Sequence, residues 1–514
     1  MKPPPLILAL FLVVAPVPAN GQVPAAGDTV QAAADTLAEA DKLRNSGQIA
    51  EAATLLQTYW ASHNGDANTA RLYGETLYWL KRFADARAVY EVGVRANPGD
   101  LTLALSYGRM LIETGGGARA RALLAPFQDS AAGIAPTSTL LGTLSYWEGD
   151  FTTAARLFRK ALIANPEERD AARQLEEIRI LTSSWLRVGA DGRFDDQPLH
   201  RIGGDAQVGK FVTELISLSA RVRPMYFQLG DSLTRTLTQA EGQVSLYSAA
   251  THLEVTLAGG GLFRSYDTSS DWTARGMLAL RMPRHIVIRA RAERGPYLYS
   301  LASLTTAVMI RTFNFSADWN APEGWMGRAL VQRELYPDAN AVSTIYAWVL
   351  APLVHQQRAD IQLGVSAAAQ DADETRFTLA RPTQPYPPGD SRFSTAGIYA
   401  PYYTPSSLSY QSVIGALALH PSRNVTFRGG GGYAIRASDS SPSFIVAPAK
   451  GNTPATVQRF FQPREFSLWN ARASVEAALN AQVWFVVGGE YYRTPFYSST
   501  TAEAAIIYRF HRPI

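Results

Sequence analysis

The chain has 514 residues, 46% of them apolar, and a formal net charge of +4. That length exceeds one ordinary domain, and so small a basic excess does not point to nucleic acid. With no cysteine, disulfides, thiolate metal sites and a cysteine-linked lipid anchor are excluded. The charge is unevenly divided: Gln22–Ser183 holds 16 basic and 19 acidic residues, or −3, and Ser184–Ile514 holds 31 and 25, or +6. Of those 31 basic residues, 29 are Arg.

Met1–Ala19 reads as a secretory signal peptide. Lys2 supplies the positive start, Leu6–Ala15 an apolar core, and Val17-Pro18-Ala19 a small residue at the cleavage point. The apolar run is too short to span a bilayer as a helix. Residues 20–32, rich in Ala, Pro and Gly, read as a linker.

From Ala33 a period of 34 residues sets in, with frames at Ala33, Ala67, Leu101 and Ala135. The second frame carries Tyr73-Gly74, Leu77, Phe83, Ala86, Tyr90, Gly93 and Pro98. The fourth repeats it with Leu141-Gly142, Phe151, Ala154, Phe158, Ala161 and Pro166. Small residues at Gly74, Gly108 and Gly142 let two antiparallel helices approach, while Tyr90 and Phe158 fill the gap, and the prolines end the second helix. Asp170–Leu181 follows as a capping helix with a polar outer face. This register resembles the tetratricopeptide repeat family over Ala33–Glu168. The resemblance implies a helical binding scaffold. Its groove candidates are Tyr78, Trp79, Tyr146 and Trp147, which either dock a polymer or partner protein or pack between helices.

Ser184–Phe510 changes period. Sixteen strands are predicted at 185–194, 200–211, 213–227, 234–247, 250–264, 271–281, 285–297, 302–315, 324–335, 341–354, 357–369, 407–420, 423–437, 465–479, 482–494 and 501–510. Alternation over about ten residues, apolar outward and polar inward, is the pattern of a membrane β-barrel strand. Lipid cannot satisfy an open sheet edge, so a spanning sheet must close. Tight connections at Ser248-Ala249, Pro283-Arg284, Pro421-Ser422 and Asn480-Ala481 follow even strands, and long ones at Gln370–Ser406 and Ser438–Arg464 follow odd strands. This asymmetry places short turns in the periplasm and long loops outside.

The fold class predicted is therefore α + β and multidomain. A tetratricopeptide α-solenoid over 33–183 precedes a 16-stranded antiparallel transmembrane β-barrel over 184–514.

A charge on the lipid face costs about 2–4 kcal/mol at the bilayer midplane, so charged residues are expected inside. The candidates for a polar lumen are Arg221, Arg223, Arg289, Arg291, Glu293, Arg428, Arg436, Arg472, Glu476 and Glu490, with Glu254 and Asp360 as further acids. Guanidinium forks suit hydroxyls and carboxylates of a passing polymer, while Arg–Glu pairs also brace a wall. The segment Arg381–Gly389 with Tyr399, Tyr402 and Tyr403 reads as an ordinary surface loop or as a lid or sugar-stacking surface.

The seven His are scattered, and no His-Glu-x-x-His, phosphate-binding loop or Gly-x-Ser-x-Gly elbow is present. No enzyme activity and no cofactor or metal are expected. Gly259–Gly261 and Gly429–Gly432 lie inside strands and mark close wall contacts.

In domain order and strand count the chain resembles the exopolysaccharide export porins, of the cellulose synthase operon protein C and poly-N-acetylglucosamine porin type. That resemblance implies a cell outer-membrane location with the repeats in the periplasm, and passive conduction of a polysaccharide. It also implies outer-membrane lipid around the barrel and periplasmic or inner-membrane synthase and export proteins as partners of the repeats. The alternatives are a general porin or a non-conducting assembly or adhesion platform of YaiO type.

Overall fold

The computed structural model describes residues 26–510 apart from 197–198, 214, 231–232, 249–250, 268, 283–284, 306–307, 357, 380–392, 396 and 448–455. The signal-peptide segment and Arg381–Gly389 lie outside the described residues. The chain divides into two compact units, 1–107 and 108–514.

Nine helices among the described residues precede the sheet: α1 (Ala26–Asn45), α2 (Ile49–Trp60), α3 (Ala67–Trp79), α4 (Phe83–Ala96), α5 (Leu101–Glu113), α6 (Gly117–Leu124), α7 (Ile134–Trp147), α8 (Phe151–Ala164) and α9 (Arg169–Leu181). The first begins at Ala26, inside the stretch read as linker. The run Gln31-Ala-Ala-Ala34 has high helix propensity and no Pro, so the helix extends backward through it. Side-chain caps start two of the others: Asp66 accepts from Thr69 N at 2.6 Å, and Asp150 from Thr153 N at 3.0 Å.

The 34-residue period is visible in backbone geometry. Gly47, Lys81, Gly115 and Gly149 sit at the same place in successive repeats, and each has φ between +61° and +83°. Three are glycine because a Cβ is strained there. Lys81 carries that strain, so Lys81→Gly is expected to stabilise the repeats by roughly 0.5–1 kcal/mol. A rise in melting temperature checks it, and no rise removes the strain assignment.

The helix-pair contacts follow the small-against-large pattern. A Cβ on Gly74 would lie 2.6 Å from the Tyr90 ring, and one on Gly142 would lie 2.6 Å from the Phe158 ring. In the third repeat the partner is the smaller Leu124, 3.1 Å from a Cβ on Gly108. Phe158 is fully buried among Ala154, Ala155, Ala161, Leu175 and Ile178, so it has no free direction to retreat. Gly142→Ala is therefore expected to cost about 1–3 kcal/mol by overpacking. Phe158→Leu should recover part of that loss in the double variant, which a thermal-unfolding double-mutant cycle reads directly.

The sheet is antiparallel and closed. Its strands are β1 (Trp185–Asp195), β2 (Leu199–Thr213), β3 (Ile216–Leu229), β4 (Leu233–Ser248), β5 (Leu253–Arg264), β6 (Ser270–Met282) and β7 (Ile286–Pro296). A one-turn helix α10 (Leu301–Thr305) comes next. It is followed by β8 (Met309–Asn320), β9 (Met326–Leu335), β10 (Ala341–Gln356) and β11 (Ala359–Ala372). After the short pieces β12 (Phe377–Leu379), β13 (Phe393–Thr395) and β14 (Gly397–Tyr399) come β15 (Leu408–Ser422), β16 (Val425–Ala447), β17 (Thr456–Phe466), β18 (Trp469–Ala478), β19 (Val483–Thr494) and β20 (Tyr497–Arg509). Each wall strand pairs with its neighbours, and β20 pairs with β1 from Trp185↔Arg509 to Asp195↔Ser499. β17 and β18 form one interrupted strand, both pairing with β16. The closed wall has sixteen strands.

Two segments differ from the sequence reading. The eighth strand, expected at 302–315, starts at Met309, because Ser300 caps a helical turn instead, with Ser303 N donating to Ser300 Oγ at 3.2 Å. The long connection expected over Ser438–Arg464 is mostly sheet. Ala437↔Phe466 through Ala447↔Thr456 pair, since Ser443-Phe-Ile-Val446 and Val457–Phe461 carry strand-forming residues past the barrel rim.

The outer surface is an apolar belt. Val188, Leu218, Leu257, Phe315, Val365 and Ile506 are each between 49% and 54% exposed. Trp319, Trp325 and Trp484 mark one rim, as interfacial aromatics do. We call that rim, where the chain enters at Trp185 and leaves at Arg509, the proximal rim, and the opposite one the distal rim. No helix among the described residues is long and apolar enough to cross a membrane.

The polar lumen and the loops at its distal mouth

Because successive side chains alternate across a strand, the exposed apolar set fixes which residues line the interior. On β1, Leu186 and Val188 face out, so Arg187, Gly189, Asp191 and Arg193 face in. On β3, Leu218, Val222 and Tyr226 face out, so Ser219, Arg221 and Arg223 face in. A cavity of about 910 Å³ is lined by Arg187, Arg201, Arg221, Arg223, Arg428 and Arg472 together with Asp191, Asp205, Asp360, Glu490 and Glu503.

Most of these charges are paired. Asp205, only 5% exposed, holds Arg187 and also Arg221, at 2.5 Å from its Nε. Asp191 holds Arg201, and Arg223 lies 3.6 Å from it. Elsewhere on the wall Asp318 bridges Arg289 and Arg328, the latter at 2.5 Å. Arg291 pairs with Glu293, and Arg428 with Glu476 at 2.6 Å. Arg472 and Glu490 are cross-strand neighbours on the cavity wall.

Arg436 is the exception among the lumen candidates. The β15–β16 register slips between Ser412↔Ala434 and Gln411↔Arg436, leaving Ile435 as a bulge. Ala434 and Ala437 are buried with Leu468 and Tyr410 on the inner side, so Arg436 turns outward with Gln411. A bulge inverts the facing of every residue beyond it, which strict alternation from Tyr433 could not anticipate.

The sequence reading missed Arg187, Asp191, Arg201, Asp205 and Asp318. In β1 and β2 glycines at 189, 192, 203 and 204 stand where apolar or polar residues would show the alternation. The signal present was the placement of Arg187, Asp191 and Arg193 at even spacing. The glycine run in β16 serves close strand approach, for a Cβ on Gly431 would lie 2.5 Å from Asn470 O. Of the turn histidines, His355 Nδ1 lies 2.5 Å from Asp360 and His420 Nδ1 lies 3.2 Å from the Thr426 hydroxyl. Among the described residues no group of three or more His, Asp or Glu is placed to hold a metal.

The distal half of the lumen is not simply open. Met225 and Phe227 of β3, Leu237 of β4 and Leu262 of β5 are buried on the inner side of the wall. Apolar residues on a wet wall need a cover. The segment between β7 and β8 supplies it, with Leu304 of α10, 1% exposed, and Leu298 packing on them. The same segment reaches β1, six strands from β7 around the wall, where the Arg193 guanidinium lies 4.4 Å over the Tyr299 ring.

A second segment, between β11 and β15, joins the first. Tyr403 N donates to Tyr297 Oη at 3.2 Å, Ser300 Oγ donates to Pro401 O, and Tyr402 stacks on Tyr336 with ring centroids 3.5 Å apart. Tyr402 Oη donates to Asp338 at 2.7 Å, and Arg376 Nε donates to the same carboxylate at 2.6 Å. Burial alone would raise the Asp338 pKa, but the hydrogen bonds from Tyr402 and Arg376 outweigh it and hold the carboxyl below its ordinary 3.8. Burial, and then the bond to Asp338, push the Tyr402 hydroxyl up to about 12.

A depressed folded-state pKa contributes stability above the unfolded value and loses it as pH falls through the folded one. The tie is therefore expected to hold at neutral pH and to release progressively below about pH 4. Glu374 shares the same guanidinium, with Arg376 Nη1 at 2.5 Å. Amide exchange in 397–407 should rise on acidification, and Asp338→Asn should give fast exchange already at pH 7. Equal protection in that variant at pH 7 would remove Asp338 as the tie.

Of the repeat candidates, Tyr78 and Tyr146 are half-buried beside Phe83 and Phe151, at 5.7 and 5.6 Å between centroids. Trp79 and Trp147 are each 50% exposed, and the Arg44 guanidinium lies 4.3 Å over Trp79. Within the second unit the repeats meet the proximal rim. Tyr247 Oη donates to Glu148 O, Arg509 Nη1 donates to Leu181 O at 3.1 Å, and a Cβ on Gly115 would lie 3.0 Å from His285 Nε2. Trp147 thus stands one residue from a rim contact.

The tetratricopeptide repeat family matches residues 43–105. No curated protein matches the chain. Among solved structures, a bacterial polysaccharide outer membrane secretin is similar over 64% of this chain and 99% of its own, at 11% identity and a TM-score of 0.45. MamA from Desulfovibrio magneticus RS-1 is similar over 29% of this chain and 84% of its own, at 18% identity and a TM-score of 0.26. YrrB, a TPR protein with an unusual peptide-binding site, covers 28% of this chain and 74% of its own, at 17% identity and a TM-score of 0.25. Helical repeats, matched by the tetratricopeptide family over 43–105, followed by a closed sixteen-stranded antiparallel β-barrel with an apolar outer belt make up the architecture of this chain.

Proposed function

We propose that the protein is an outer-membrane conduit that passes an exopolysaccharide out of the cell, with its repeats in the periplasm. The observation that carries this reading is the charged, mostly ion-paired inner wall within a closed sixteen-stranded cylinder, a size that leaves room for an aqueous channel. A wall whose guanidinium groups are largely matched by carboxylates offers many hydrogen-bonding groups with little net charge, which suits a hydroxyl-rich chain that must bind and also leave. The contacts of Tyr247, His285 and Arg509 put the last repeats at the proximal mouth. There Trp147 offers a stacking face to an arriving sugar chain, and the repeats offer a scaffold to synthase and export proteins.

Planar-bilayer recording with added oligosaccharides tests the reading. Block by a sugar polymer supports export. Open, unselective current that no sugar blocks would make it a general porin, and no current in any form of the chain would make it a platform.

A further inference from the structure

We infer that Tyr299 and Tyr403 form a pyranose-stacking constriction at the distal mouth, a subsite at which the conduit selects its polymer. This rests on the conduit reading above. Both residues come from segments folded inward from the rim, and both leave ring surface open, 51% and 40% exposed. Each is held rigidly by its neighbours. Arg193 covers one face of Tyr299 at 4.4 Å and also bonds the Tyr497 hydroxyl, while Tyr297 meets Tyr299 edge-on at 5.2 Å. Tyr399 meets Tyr403 edge-on at 4.7 Å, and the backbone of Tyr403 is tied to Tyr297 Oη at 3.2 Å. Tyr297 therefore links the two, and the remaining face of each is fixed in space before any ligand arrives.

The chemistry of such a pair selects a ligand class. The axial C–H face of a hexopyranose is apolar and matches an aromatic ring, while its equatorial hydroxyls need polar partners at the rim of the stack. Arg193 and the Tyr497 hydroxyl supply polar groups beside Tyr299, and a guanidinium stacked on a ring still presents N–H donors at its edge to a sugar hydroxyl. A pre-fixed ring loses little freedom on binding. By the same token an apolar peptide gains nothing from the flanking polar groups. Tyr336 and Tyr402 are excluded as platforms, because their faces are spent on each other and 5% and 1% are exposed.

The test uses the purified full-length chain with cellohexaose and the neutral hexamer of N-acetylglucosamine as probes, read by calorimetric affinity in detergent and by block lifetime in bilayers. The wild type should bind one of them. Tyr299→Ala with Tyr403→Ala should weaken binding and shorten the block about tenfold. Tyr299→Phe with Tyr403→Phe should stay within about twofold, since the faces remain. Unchanged heat-modifiable mobility verifies that the barrel of each variant is folded. Equal affinity in the wild type and the alanine pair would overturn the subsite while leaving the conduit standing. A wild type that conducts but neither binds nor is blocked by either probe would overturn both.

Discussion

Leu304→Asp should raise single-channel conductance several-fold while leaving the barrel folded. Leu304 is the residue by which the segment between β7 and β8 closes over Phe227, Leu237 and Leu262, and it is 1% exposed. Its burial contributes about 1.5–3 kcal/mol, and an unpaired carboxylate there adds a further desolvation cost. Together these exceed what the remaining ties of a ten-residue segment can offset, so the segment leaves the wall. The strand ladder does not depend on it, because β7 and β8 pair over their full length without it. Removing residues 298–307 in favour of a short turn should have the same effect. Unchanged conductance in both variants would mean that the segment does not set the bore.

Asp205→Asn should have the largest effect on ion selectivity. That carboxylate is 5% exposed and holds Arg187 and Arg221 at once. Removing one partner of a dry, buried pair costs roughly 3–5 kcal/mol. Here the two guanidinium groups are 26% and 29% exposed and can rehydrate, so on the order of 2 kcal/mol is expected. The cavity loses one of five carboxylates against six arginines, which should move the reversal potential towards anion preference. A second change, Arg221→Gln, should restore both the selectivity and much of the heat resistance, since it removes one of the two unmatched charges. A reversal potential that stays put in Asp205→Asn would place Asp205 outside the ion path.

The elements most legible in the sequence were those whose physics is periodic. The 34-residue frames appear as the recurring left-handed turns at Gly47, Lys81, Gly115 and Gly149. The alternation in β3 and β7 reads Arg221, Arg223, Arg289 and Arg291 as inward-facing, and in the structure each is ion-paired, with Asp205, Asp191, Asp318 and Glu293 respectively. What escaped reading breaks a period or depends on distant segments. The bulge at Ile435 reverses Arg436, and no local property of Ala434–Ala437 announces it. The glycines of β1 and β2 hide the facing of Asp191 and Asp205. Leu237 and Leu262 face inward against the rule that apolar residues face lipid. Only the arrival of Leu304, more than forty residues later, explains them. The Tyr-rich stretch Tyr399–Tyr403 drew notice for its composition, but its partners Tyr297, Tyr336 and Asp338 lie on other connections and carry no shared motif.

Single-channel recording of the full-length chain beside its 298–307-deleted form tests most directly whether this cylinder is a water-filled passage. Discrete current steps in the wild type, enlarged in the deleted form, are the predicted result; the absence of current in both forms, with the barrel shown to be folded, would contradict it.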